Sequence, residues 1–126
     1  MRVLVADDDM FMRNFLRKVL ENEGCCIEVV ESGSEVIRKV LEKKFDVLFL
    51  DIYMGGMDGF ETIPIIKEIA PALPIVVITG DTSLQTKNKI QNLDVFSYLT
   101  KPIDPVEVRK VLRTVPLALE SNHAGR

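Results

Sequence analysis

Histidine is almost missing from this chain: there is one, His123, in 126 residues. It lies in a polar C-terminal stretch, so no core histidine is at hand as base, metal ligand or phosphate relay. Cysteine is nearly as scarce. Cys25 and Cys26 are adjacent; neighbouring cysteines rarely bridge, and no Cys/His ligand spacing surrounds them. Both read as reduced, small apolar residues of a cytoplasmic protein. No apolar stretch approaches the ~20 residues that span a bilayer. Met1-Arg2-Val3 runs directly into a strand pattern, with no signal peptide in view. No basic run or stripe is present and the net charge is −3, which argues against direct binding of nucleic acid. What is there is an ordinary globular composition, 47% apolar and 28% charged, at the length of one domain.

Strand and helix patterns alternate along the chain. Residues 2–6 read as a strand and 9–23 as a helix, with Met12, Phe15, Leu16, Val19 and Leu20 on one face. Cys26 to Val30 is the second strand. Ser32-Gly33-Ser34-Glu35 is a capping box before a helix with buried face Val36, Ile37, Val40 and Leu41. Asp46 to Leu50 is the third strand. Asp58-Gly59-Phe60-Glu61 is a second box, for a helix reaching about Ala70. Pro64 would then fall inside it and remove the bond to the Phe60 carbonyl, which predicts a kink or a later start. Ile75 to Ile78 is the fourth strand. Thr82-Ser83-Leu84-Gln85 opens a fourth helix to about Leu93, with little to bury beyond Leu84, Ile90 and Leu93; such a helix should be loosely docked. Phe96 to Leu99 is the fifth strand. Asp104-Pro105-Val106-Glu107 opens the last helix, with face Val108, Val111, Leu112 and Val115. Pro116 is expected to end or bend it. The domain is expected over residues 1–119, with 120–126 a disordered tail or the start of a linker.

Five such units imply an α/β fold: one doubly wound, parallel, five-stranded sheet with helices on both faces. The first, third and fourth strands are apolar throughout, as central strands are. Polar residues interrupt the second and fifth, as at edges. The flavodoxin-like order 2-1-3-4-5 satisfies this, and it places a ligand site between the ends of strands 1 and 3.

Those ends carry carboxylates. Asp7 and Asp8 follow the first strand and Asp51 the third; Thr79 ends the fourth, and the fifth leads through Thr100 to Lys101-Pro102. Two carboxylates ~4 Å apart repel by on the order of 4 kcal/mol at a surface-like dielectric. A hard, oxygen-seeking cation such as Mg²⁺ relieves that repulsion, and Mn²⁺ can substitute. It can also neutralise charge on a phosphoryl group. Asp51 is then the nucleophile, Lys101 compensates phosphoryl charge and the Thr79 hydroxyl donates to a phosphoryl oxygen. Plainer readings compete. Aspartates before a helix often only cap it, as Asp9 can. Asp or Thr after a strand is often a turn residue, a Lys before Pro usually lies at the surface, and Tyr98 on an edge strand is most simply half-buried packing. The coincidence of four strand ends with compatible chemistry favours the site.

With the stretches VLVADDD, DVLFLDIYMGGMDGFE, LPIVVITG and YLTKPID, the chain resembles the receiver domain of two-component response regulators over about residues 2–116. The resemblance implies Asp51 as phosphoacceptor, with phosphate coming from the phosphohistidine of a sensor histidine kinase or from a phosphotransfer protein. It implies Asp8 as a direct Mg²⁺ ligand, Asp7 acting through water, and the Tyr53 backbone carbonyl as a further ligand. A cis Lys101–Pro102 peptide is implied too, since proline makes cis accessible. So is a switch in which Thr79 moves inward, Tyr98 follows, and the surface of the fourth helix, fifth strand and fifth helix changes, a face through which receivers often dimerise. Such a module modifies only itself and passes the signal to a downstream protein or a covalent output domain. Three features depart from the family: Gly55 where proline is usual, which should loosen the loop; Asp94 where glycine usually ends the fourth helix; and Pro64.

Two other readings share parts of the pattern. A haloacid-dehalogenase-like Mg²⁺ phosphatase would use Asp7 as nucleophile, but would leave Asp51 unexplained and want a longer chain. A flavodoxin-like cofactor binder would want a Gly- or Ser/Thr-rich phosphate loop after the first strand, which is lacking here.

Overall fold

The computed structural model describes residues 1–124, with side chains through Val115. Its sheet consists of β1 (Arg2–Ala6), β2 (Cys26–Val30), β3 (Val47–Asp51), β4 (Ile75–Thr79) and β5 (Ser97–Thr100). All pairings are parallel and the order is β2-β1-β3-β4-β5. The connecting helices are α1 (Met10–Asn22), α2 (Gly33–Glu42), α3 (Gly59–Ile69), α4 (Leu84–Gln91) and α5 (Pro105–Ala124). The flavodoxin-like α/β fold is therefore present.

The alternation of side chains along the strands divides the core in two. Leu4, Leu48, Leu50 and Val77 join Val36, Ile63, Ile66 and Ile90 on the α2, α3 and α4 side. Val3, Val5, Phe49 and Ile78 join Leu16, Leu20, Val108 and Leu112 on the α1 and α5 side. β3 and β4 are buried at every position, which is why their sequences read as unbroken apolar runs.

The caps form locally. Asp9 accepts from Phe11 N–H at the start of α1. Ser32 accepts from Glu35 N–H, but the Glu35 carboxylate turns to Glu31 N–H, so the expected reciprocal box is shifted by one residue. At α3 the box is complete: Asp58 accepts from Glu61 N–H, and Glu61 accepts from Asp58 N–H.

Three expectations are corrected. α3 starts at Gly59 and carries Pro64 inside, so there is no later start; its capped first turn and the buried Ile63 and Ile66 outweigh one missing backbone bond. Leu41 and Leu84 are exposed. The departure at Asp94 carries no left-handed backbone: α4 is capped by Asn92 in right-handed geometry, and among the described residues no non-glycine φ is positive. α5 runs past Pro116 as far as Ala124, so that proline does not end it. One proline removes one donor from a helix whose preceding turns are anchored by Val108, Val111, Leu112 and Val115. Residues 125 and 126, in the segment expected as a tail or the start of a linker, lie outside the described residues.

Candidate functional site

Parallel strands bring their carboxyl ends to one edge. Ala6 is paired with Leu50, so Asp7 and Asp51 emerge level from neighbouring strands. Thr79 is paired with Thr100, which sets Lys101 beside them. Asp7, Asp8 and Asp51 each offer an oxygen within 4.8 Å of the others. Asp7 is fully buried, Asp51 is 4% exposed and Asp8 faces solvent.

Every carboxylate is held. Asp7 Oδ1 accepts from Asp9 N–H at 2.9 Å. Asp51 Oδ1 accepts from Tyr53 N–H at 3.2 Å and Asp8 Oδ2 from Gly55 N–H at 3.2 Å. Lys101 Nζ lies 3.1 Å from Asp7 Oδ2 and 3.3 Å from Asp51 Oδ2. Its contact with Asp7 is an ion pair outside hydrogen-bond alignment, and Asp7 Oδ2 is buried with no hydrogen bond of its own. The Lys101–Pro102 peptide is cis.

Burial, and then the nearby Asp7 charge, push the Asp51 carboxyl up from 3.8 to about 7, with Lys101 offsetting part of the rise. Burial works against the Lys101 charge, but the Asp7 and Asp51 carboxylates outweigh it and hold the ammonium above its usual range. An under-bonded buried carboxylate oxygen, a carboxyl kept reluctant to ionise, and an open Asp8 together form an all-oxygen set suited to a hard divalent cation.

Gly59 fixes how closely α3 approaches this edge. Its N–H donates to Ile52 O at 2.7 Å. A Cβ there would lie 2.8 Å from Ile52 Cα and 3.2 Å from Asp51 O. In the loop before it, Gly56 has φ of +75°.

Thr79 Oγ1 is buried and accepts from Asp81 N–H at 3.0 Å. Tyr98, expected to follow it, is 40% exposed on β5 and so lies outside the buried site. Sequence reasoning missed Thr86, which is 2% exposed on α4. Its hydroxyl donates to Asp81 Oδ2 at 2.7 Å and meets the Tyr53 hydroxyl at 2.6 Å. Its one signal was an arc shared with buried Ile90, four residues on.

A model of the response regulator receiver domain matches residues 3–113. The chain belongs to this family. Among curated relatives, the receiver domain is 37% identical over 118 residues to the transcriptional regulatory protein ResD of Bacillus subtilis (strain 168), covering 92% of this chain and 47% of ResD. It is 34% identical over 102 residues to the transcriptional regulatory protein ZraR of Klebsiella oxytoca, covering 81% of this chain and 23% of ZraR. The chain thus spans less than half the length of these relatives. Among solved structures, it superposes on the Vibrio cholerae chemotaxis protein CheY4 with a TM-score of 0.82 at 28% identity, covering 90% of this chain and 97% of that one. Receiver domains of two-component systems are regulators, and among the described residues no helix is long and apolar enough to cross a membrane.

Proposed function

We propose that this receiver domain takes a phosphoryl group on Asp51 from the phosphohistidine of a sensor histidine kinase or phosphotransfer protein, in the cytoplasm. An Asp51 oxygen attacks phosphorus, the phosphorus–nitrogen bond breaks, and the imidazole nitrogen leaves with the electron pair. The observation that carries this is the setting of Asp51: a nearly buried carboxylate at a strand end, with the Lys101 ammonium 3.3 Å away and the Asp7 and Asp8 carboxylates close by. Asp7, with Oδ1 bonded to Asp9 N–H and no exposure, is the worse nucleophile.

Asp8, Asp51 and the Tyr53 carbonyl would hold Mg²⁺, with Asp7 acting through water. The ion would supply charge neutralisation for a dianionic phosphoryl group. Lys101 would compensate the same charge, and Thr79 would donate its hydroxyl to a phosphoryl oxygen. Adding roughly −1.5 to −2 charges would then bias the α4–β5–α5 surface, with Tyr98 following Thr79. The partner that reads this surface is a downstream protein, a covalent output domain beyond a unit closing near residue 119, or a second copy. An unchanged mass in light scattering on adding beryllofluoride would count against the second copy.

The test is labelling by acetyl phosphate with Mg²⁺, followed by mapping of the acid-stable, base-labile phosphate. Wild type should label at Asp51 and Asp51→Asn should not. A label on Asp7, or undiminished labelling of Asp51→Asn, would overturn the reading.

A further inference from the structure

α4 buries only Thr86 and Ile90, yet several contacts tie it to the site. The Thr86 hydroxyl has one proton. Asp81 Oδ2 can only accept, so Thr86 donates to it at 2.7 Å. Tyr53 must therefore donate to Thr86 at 2.6 Å. The result is a directed chain from phenol to hydroxyl to carboxylate, ending in a charge-assisted bond. Asp81 Oδ1 also accepts from Ser83 N–H at 2.8 Å. The Tyr53 ring meets Phe60 edge-on at 5.8 Å, and Lys89 of α4 lies 5.3 Å over that same Phe60 ring.

Both ends of the chain reach the reacting groups. Tyr53 N–H holds Asp51 Oδ1, and Asp81 N–H holds Thr79 Oγ1. The Thr79 proton itself is directed to Asp81 O at 3.5 Å, so turning that hydroxyl to Asp51 breaks its bond to Asp81 and strains the one it accepts from Asp81 N–H. Asp81 is fixed at its side chain by Thr86 and Ser83, so it cannot follow without breaking the chain.

We propose that Thr86 is a positioning residue: through Asp81 it keeps the Thr79 hydroxyl withdrawn, and through Tyr53 it clamps α4 onto the loop after β3, so that the unphosphorylated state is held by a latch that phosphorylation opens. This rests on the reading of Asp51 as phosphoacceptor. It supplies a route from Asp51 to α4 that does not pass through Tyr98.

The test is binding of beryllofluoride with Mg²⁺ to the full chain, alongside amide hydrogen exchange of residues 84–91 without beryllofluoride. Thr86→Val keeps the shape and removes both bonds. It should bind beryllofluoride about tenfold tighter, the equivalent of one charge-assisted bond lost from the unliganded state, and its α4 amides should exchange faster. Tyr53→Phe should shift both readouts the same way by less. Thr86→Ser, which restores the hydroxyl, should behave as wild type. Wild-type binding with no tightening in Thr86→Val and Tyr53→Phe sinks the latch alone. No binding even by wild type removes the Asp51 reading, and the proposal with it. Loss of α4 protection in Thr86→Ser as well would reduce Thr86 to packing and overturn the proposal.

Discussion

Replacing Asp51 by asparagine keeps the shape of the side chain and removes its charge, so it isolates what ionising this carboxyl costs the fold. In the folded chain the carboxyl is lifted from 3.8 to about 7. As pH rises, the unfolded chain gives up this proton from ~4 onward while the folded chain keeps it until about 7. Over that window the folded state binds more protons, so this group's contribution to stability falls with rising pH and levels off above about 7. At ~1.36 kcal/mol per pH unit, a gap of roughly three units sets an upper bound of about 4 kcal/mol. Solvent screening at the mouth of the site reduces it to ~2 kcal/mol. Urea unfolding in EDTA, from pH 4 to 8, measures it. Asp51→Asn should match wild type near pH 4 and exceed it by ~2 kcal/mol at pH 8. Excess Mg²⁺ should narrow the difference at pH 8 by stabilising wild type. Parallel profiles for the two proteins, or a variant less stable at pH 8, would show that burial and Asp7 do not perturb Asp51 as argued.

Other perturbations address other parts of the site. Mg²⁺ should raise the thermal midpoint of wild type, and much less so that of Asp8→Ala; equal shifts in a thermal melt would exclude Asp8 as a ligand. Lys101→Gln leaves Asp7 and Asp51 facing each other without an ammonium, and should cost ~2 kcal/mol at pH 8 and less at pH 5, read by denaturant titration. Gly59→Ala forces a methyl against the Ile52 backbone and should cost 1–3 kcal/mol, about the penalty of overpacking; an unchanged midpoint would mean that α3 can back away. Leu20→Ala, in the core beneath α1, should cost about 2–5 kcal/mol in the same assay while leaving acetyl phosphate labelling per folded molecule intact.

The strand ends were legible because parallel topology converts sequence order into proximity. Once Val3–Ala6, Val47–Leu50, Ile75–Ile78 and Phe96–Leu99 are neighbours, Asp7, Asp51, Thr79 and Lys101 have one edge to share. The Asp58 cap was legible because its bonds are local. The tether at Thr86 was not. A threonine in a polar helix reads as surface, and the partners that bury it, Tyr53 and Asp81, come from two different loops. Leu41 and Leu84 misled for the converse reason, since periodicity marks an apolar residue without showing where the neighbouring element stops. Pro64 and Pro116 were read as breaks from the bond each removes. The buried residues around Pro64, and those that precede Pro116, decided otherwise.

Lys101 has a consequence beyond stability. Its ammonium already stands between Asp7 and Asp51, so an arriving divalent ion meets a cup of charge near −2 instead of −3 once all three carboxylates are ionised. The chain carries its own placeholder, which keeps the empty cup from flying apart and equally keeps a visitor from being gripped too hard.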